Sequence, residues 1–259
     1  MTQTRQPTRN RPSQRRSLRF NWTDLVPVLW GVLLLKYWLT GQLSRLIHPN
    51  FNGLIAVTGG LLLALGSLHW WQGRRSGSQG VLAANLVPGK LATGLLIGTA
   101  IAGLIIPPGT LGSQAALQRG LGSTLPVTRL RPQPFQIFSN TEERSLVDWV
   151  RTLNAYPEPT AYSGQPVRIE GFVMRLDELP TDAILVARFI VSCCAVDAYP
   201  VALPVQLPPG TQARDFQVDS WVRISGAISP LELPGQARQA SVKAAEIVPI
   251  PTPRDPYSF

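Results

Sequence analysis

The chain has 259 residues, of which 44% are hydrophobic and 15% charged, with a formal net charge of +9. The positive charge is unevenly placed: Arg5, Arg9, Arg11, Arg15, Arg16 and Arg19 stand in the first 20 residues without an acid, whereas basic and acidic side chains nearly balance beyond residue 106. A nucleic-acid-binding domain, the usual reading of a high pI, is thereby excluded as the leading class, because the part long enough to fold is close to neutral.

Residues 1–20 show no apolar periodicity and are expected to be a disordered tail that sets topology and touches anionic lipid. Three apolar stretches follow: Leu25 to Leu39, Phe51 to Trp71, and Leu91 to Ile106. A bilayer span needs roughly 20 mostly apolar residues. The second stretch meets that length. The third does so only if Leu86, Val87, Pro88 and Gly89 lie at the interface and Lys90 snorkels. The first is interrupted by Lys36, whose long stem can reach the headgroups. Trp22, Trp38, Trp70 and Trp71 stand near the ends, where an aromatic belt belongs. Residues 21–106 are therefore predicted to form three transmembrane helices in the lipid bilayer.

The first segment also has the basic-then-apolar form of a signal peptide, but no small-x-small cleavage site follows it, so an uncleaved span is expected. In a three-span arrangement the arginine tail and Arg74-Arg75 share one face, and basic loops are cytoplasmic. This places the N-terminus in the cytoplasm and residues 107–259 outside it, in the periplasm if the cell has one. Two spans would reverse that side. Gly94, Gly98 and Ala102 are four apart on one face of the third stretch, and Gly60 and Ala64 on the second. Small residues at this spacing let helix backbones approach closely, either within the chain or against another membrane protein. Lys36 is the only charge inside a span, which argues against a transporter acting alone.

Pro107-Pro108 ends the third stretch and opens a linker, 107–132. QPFQIF (133–138) reads as a strand. A helix is predicted from Asn140 to Asn154, capped by Asn140 with Glu143 at the capping-box position and burying Leu146, Val147, Trp149, Val150 and Leu153. Five strands are predicted next: Val167–Arg175, Ile184–Cys193, Val201–Leu207, Trp221–Ile228 and Ser241–Val248, separated by turns rich in Pro, Gly and Asp. Short strands at this spacing, with one glycine inside the first, predict a small all-β domain over 133–249. The expected form is an OB-like Greek-key barrel with one flanking helix, a β-sandwich being the alternative. Residues 250–259 hold too many prolines for a strand or helix and are expected to be an extended tail.

Catalytic constellations are missing. The only histidines, His48 and His69, fall at the predicted membrane boundaries, so a Ser-His-Asp or Cys-His arrangement inside the β domain is not expected. No phosphate-binding loop or dinucleotide fingerprint occurs, and a non-enzyme is predicted with no catalytic residue. What remains is Cys193 and Cys194, the only two cysteines. Neighbours on a regular strand point to opposite faces, so chelation of one ion requires a turn, which Ala195-Val196-Asp197 can supply. A soft metal ion or metalloid suits the paired thiols, with Asp197 as a hard third ligand, although a closed zinc site would need four. A strained, easily reduced disulfide is a second reading. Simple packing, with Asp197 fixing the turn, is a third.

RFIVSCCAVDAYPV, GFVMR, DSWVRISG, the IIPPGTLGS junction and the closing PRDPY resemble a bacterial family of permease subunits. The resemblance runs from the last apolar stretches to the C-terminus. It implies membrane spans followed by a β-rich domain, and partnership with a separate multi-span permease of a family that includes organoarsenical exporters. The implied role is accessory, with no reaction of its own and no nucleic-acid partner. The arginine-rich tail has no counterpart in that pattern.

Overall fold

A helix satisfies the backbone of an apolar stretch within the stretch itself, and all three are helical in the computed structural model, which describes residues 25–73, 89–121, 144–156, 158–232 and 238–259. The tail at 1–20, the Arg74-Arg75 loop and the strand predicted at 133–138 lie outside these residues. The chain divides into a helical unit, containing 25–35 and 57–105, and a second unit, containing 36–56 and 106–259.

The helices are α1 (Leu25–Leu39), α2 (Asn52–Gly73) and α3 (Gly89–Ile105). Among the described residues, only the stretch Pro49–His69 is long and apolar enough to cross a membrane. At about 1.5 Å per residue, α1 and α3 reach roughly 22 and 25 Å, short of a hydrocarbon core of about 30 Å. Among the described residues there is thus one helix of spanning length where the sequence predicted three. Side chains that a soluble bundle would bury point outward instead, among them Val57, Leu61, Leu65, Leu91 and Leu95. Close approach inside the helical unit is made by glycines of α1 and α2: a Cβ on Gly31 would stand 2.9 Å from the Gly59 carbonyl oxygen, and one on Gly66 would stand 2.6 Å from Val28. The Trp30 indole donates to the Leu96 carbonyl at 3.2 Å, tying α1 to α3.

The second unit contains two further helices, α4 (Ser113–Ala116) and α5 (Leu146–Ala155). On α5 the buried residues are Leu146, Val147, Trp149, Val150 and Leu153, the apolar face predicted from their spacing. The helix is capped by Ser145, whose hydroxyl accepts from the Asp148 N–H while the Asp148 carboxylate accepts from the Ser145 N–H. The Asn140 and Glu143 positions of the predicted cap lie outside the described residues; the reciprocal pair that closes the helix is five residues further on.

Five strands follow: β1 (Pro166–Met174), β2 (Ala183–Ile190), β3 (Tyr199–Gln206), β4 (Trp221–Leu231) and β5 (Gln239–Ile250). Antiparallel pairs join β1 to β2, β2 to β3, β4 to β5 and β4 to β1, and a short parallel pair joins β3 to β5, so the sheet closes into a barrel. β1 serves both sides, pairing with β4 along most of its length and with β2 from Phe172 onward. Gly171 sits at this switch, where a Cβ would press within 2.5 Å of the Ala187 carbonyl oxygen. A second irregularity at Ser225/Gly226 bends β4 over β5, as bulges do in small barrels.

Alternation along the strands makes two apolar faces. Val167, Ile169, Val173, Ile184, Val186, Val205, Val222 and Ile224 fill a core shared with α5. Phe172, Leu185, Phe189 and Trp221 form a second cluster, covered by Ala116, Leu121 and Tyr257. Phe172 stacks on Phe189 with centroids 5.7 Å apart. Asp219, in the left-handed region at φ 66°, accepts from the Ser113 N–H at 2.5 Å and so pins the start of α4 to the barrel.

The C-terminal segment is not merely an extended tail. Tyr257–Ser258 forms β6, parallel to β2. The prolines are compatible with this because they precede the two paired residues, and Tyr257 is buried with its hydroxyl accepting from the Leu111 N–H at 3.0 Å.

Candidate functional site

β2 ends at Ile190, so both cysteines lie beyond the strand rather than at its end. The cause is Asp197. Its carboxylate accepts from the Cys193 N–H at 2.8 Å and the Cys194 N–H at 3.2 Å, while its own N–H donates to the Cys194 carbonyl at 3.1 Å. A turn closed by a carboxylate on two successive amides frees the pair from strand alternation, and the two sulfurs lie 3.6 Å apart. Both thiols are free, Cys193 exposed and Cys194 half-buried. One sulfur from each and a carboxylate oxygen of Asp197 all fall within 4.8 Å of one another. Two sulfurs bound at about 2.3 Å to a tetrahedral centre stand roughly 3.7 Å apart, so the observed spacing suits chelation.

The two thiols are unlike. Cys193 is pushed up to about 11, first because its S–H donates to Cys194 and then because it donates to the Asp197 carboxylate. Cys194 is held below its ordinary value, first by the Val196 N–H and then by the Cys193 thiol. Burial alone would raise Asp197, but the N–H groups of Cys193 and Cys194 outweigh it and hold the carboxyl below its usual range. Of the two sulfurs, Cys194 is the one more readily present as a thiolate, the form in which a thiol binds a soft cation.

Three other segments grip the loop. The connector between α1 and α2 lies along it: the His48 N–H donates to the Cys193 carbonyl at 3.0 Å, the Ala195 N–H donates to the Leu46 carbonyl at 2.7 Å, and Ile47 pairs antiparallel with Cys194. Arg119, after α4, donates to the carbonyls of Ala195 and Ala198, with its guanidinium over the Phe189 ring at 5.9 Å. The C-terminal tail completes the frame. Arg254 offers its carbonyl to the Ser44 hydroxyl at 2.9 Å, Arg188 donates to the Asp255 carbonyl at 2.9 Å, and Phe259 meets the His48 ring edge-on at 4.8 Å.

His48 thus belongs to the barrel's unit, against the expectation that both histidines stand outside it. Its Nδ1 accepts from the Asn50 N–H at 3.1 Å, which caps the turn at Pro49–Phe51 and directs the remaining nitrogen, Nε2, outward from that bond. His69 remains on α2. Leu46, Ile47 and Arg119 escaped the sequence reading, and His48 was noted there without this role, because each acts through a pairing with a distant part of the chain.

Gly94, Gly98 and Ala102 lie on α3 as the spacing predicted. Among the described residues nothing stands within 4 Å of a Cβ built on Gly94 or Gly98, and Ala102 is exposed. Gly60 is equally open, and the close packing falls on Gly31, Gly59 and Gly66 instead.

Residues 139–259 match the model of the DUF1980 C-terminal domain. The match takes in α5, the barrel, the cysteine loop and the tail. Nothing among curated proteins matches the chain significantly. Among solved structures, "OBody AM2EP06 bound to hen egg-white lysozyme" is 23% identical, covering 34% of this chain and 81% of that chain with a TM-score of 0.22. A likeness at that score carries no argument.

Proposed function

We propose that this chain is a non-enzymatic accessory subunit of a membrane permease, whose OB-like barrel captures a thiophilic metal or metalloid ion at the extracytoplasmic surface through Cys193, Cys194 and Asp197. The observation that carries this reading is the pair of free thiols 3.6 Å apart in a turn closed by Asp197. Three ligands leave at least one coordination position open, which suits a cargo that is taken up and passed on better than a structural ion enclosed by four. The exposure of Cys193 favours the same view, since a transferring partner can reach it.

The finer fold reading rests on strand order. Pairing in the sequence β1-β2-β3-β5-β4-β1, with β3 and β5 parallel, is the Greek-key arrangement of an OB barrel. The membrane reading rests on the outward apolar faces of α2 and α3 and on the arginines of the N-terminal tail, which favour a cytoplasmic N-terminus. The open small-residue face of α3 is the surface offered to the permease, because backbone approach in lipid depends on residues of that size.

Two measurements test the proposal. Native mass spectrometry of the detergent-solubilised protein after exposure to Cd²⁺ is expected to show one ion per chain, and none in the Cys193→Ser, Cys194→Ser double variant. Absence of uptake by the fully reduced protein overturns the capture role. Purification in mild detergent at native expression levels is expected to bring down a multi-span permease. A clean single chain would leave the alternative, a membrane-held thiol module for metal binding or redox sensing that works without a permease.

A further inference from the structure

The peptide unit between Cys193 and Cys194 does two jobs at once. Its carbonyl, on Cys193, accepts from the His48 N–H of the α1–α2 connector at 3.0 Å. Its N–H, on Cys194, donates to the Asp197 carboxylate at 3.2 Å. Any reaction that turns this peptide therefore acts on the connector and the loop together. Chelation leaves it in place, because the thiols already stand near the separation a tetrahedral centre requires. Disulfide formation does not. Ring closure between neighbours makes an eight-membered ring containing a planar amide, and consecutive Cα atoms across a trans peptide are about 3.8 Å apart, below the roughly 4.4–6.8 Å usual for disulfides. The sulfurs can approach to about 2.05 Å only if the backbone between them rotates.

We infer that the Cys193–Cys194 peptide is a redox-operated latch for the α1–α2 connector, closed in the dithiol and metal-bound states and released by a vicinal disulfide. The oxidant is an external low-molecular-weight disulfide. The Cys194 sulfur attacks it and expels one thiolate, which leaves with the Cys194 proton and gives a mixed disulfide. Cys193 then attacks the Cys194 sulfur and expels the second thiolate, which leaves with the Cys193 proton. The net change is one dithiol and one external disulfide to one ring disulfide and two external thiols. In the ring form the His48 N–H loses the Cys193 carbonyl, and the antiparallel pairing of Ile47 with Cys194 opens. Contacts of the connector that do not involve this peptide, Ser44 with Arg254 and Arg45 with Pro108, remain and keep the release local. Only the metal-bound arm of the latch rests on the capture role proposed above; the disulfide arm stands on the loop geometry alone.

Amide hydrogen exchange on the full-length protein in detergent tests this, comparing peptides that cover 40–51 and 188–200 in three states: fully reduced, reduced with Cd²⁺, and treated with oxidised glutathione. Expected results are matching exchange in the first two states and exchange at 48 and 194–195 faster by roughly tenfold or more in the third. The oxidised cysteine peptide should be lighter by two hydrogens. The Cys193→Ser variant, which cannot close the ring, should keep its connector protected under the same oxidant. The latch is overturned if no lighter peptide forms under saturating oxidant, if the ring forms and exchange is unchanged, or if the variant loosens equally. Failure of Cd²⁺ uptake with release still seen on oxidation would remove the capture role and leave the latch standing.

Discussion

A single carboxylate decides what the two cysteines can do. Neighbours on a regular strand point to opposite faces; here successive amides turn toward the Asp197 carboxylate and the thiols converge. The same arrangement divides their protonation, so the thiols should differ in reactivity. With Cys193 at about 11, on the order of 0.1% of it is thiolate at pH 8. Limited alkylation by iodoacetamide at that pH is expected to mark Cys194 at least about tenfold faster than Cys193, as peptide mapping would read. Reaction at Cys193 should rise about tenfold per pH unit until pH approaches 11, and should accelerate in Cys194→Ser, which removes the largest cause of its raised value. Asp197 has its own pH dependence. Its carboxyl is held low in the fold, so the turn is complete above the ordinary carboxylate value and is lost as pH falls through the depressed one. Asp197→Asn keeps the shape but presents an amide N–H₂ to one of the two donors. Cd²⁺ binding should weaken by about tenfold or more, since a hydrogen bond to a charged group is worth roughly 1.5–3 kcal/mol. The thermal midpoint should fall as well, because the same hydrogen bonds close the turn.

Barrel closure depends at the element scale on strands that change partner, and Gly171 is where β1 does so. A methyl group there would stand 2.5 Å from the Ala187 carbonyl oxygen and 2.8 Å from Val186 Cγ1, both within the buried part of β2. Gly171→Ala is therefore expected to cost about 1–3 kcal/mol, the usual range for overpacking, read as a lower urea midpoint by the fluorescence of Trp149 and Trp221. Ser145→Ala removes one half of the cap of α5 and should cost about 1 kcal/mol in the same assay. These elements also show what the sequence makes legible. Alternation of Val167, Ile169 and Val173 along the first strand, with Pro- and Gly-rich turns as punctuation between β-branched runs, marked all five strands to within a few residues, because both signals are local. The buried stripe of α5 was equally plain. β6 was not, since two residues that follow a proline-rich run gain their stability from β2 and from a Tyr257 pocket that exists only after folding. The PRDPY motif was visible as a mark without its reason: Arg254, Asp255 and Tyr257 each lend a group to a different neighbouring segment.

The whole molecule is constrained by the bonds between the α1–α2 connector and the cysteine loop. Segments that share hydrogen bonds lie on the same side of any membrane, so the chain from 52 to 105 must cross it an even number of times. If α2, the helix of spanning length, crosses, then α3 must return, although it has only 17 residues. The shortfall of α3 is tolerable: local thinning and snorkelling of Lys90 each offset a few ångströms at a cost of fractions of a kcal/mol per Å. Parity fixes the connector and the barrel together but leaves α1 to set the side of the N-terminus, and there the arginine tail favours the cytoplasm. Single cysteines in a Cys193→Ser, Cys194→Ser background test this with a membrane-impermeant maleimide on intact cells. Asn50→Cys, exposed on the connector, is expected to be labelled, and Trp71→Cys, at the far end of α2, to be labelled only after the cells are opened. The native Cys193 should label alongside Asn50→Cys. Labelling of both Asn50→Cys and Trp71→Cys from outside would show that α2 does not cross. Labelling of Trp71→Cys alone would keep the even count and reverse the side, placing the dithiol loop in the cytoplasm, where glutathione holds thiols reduced and the latch would stay closed.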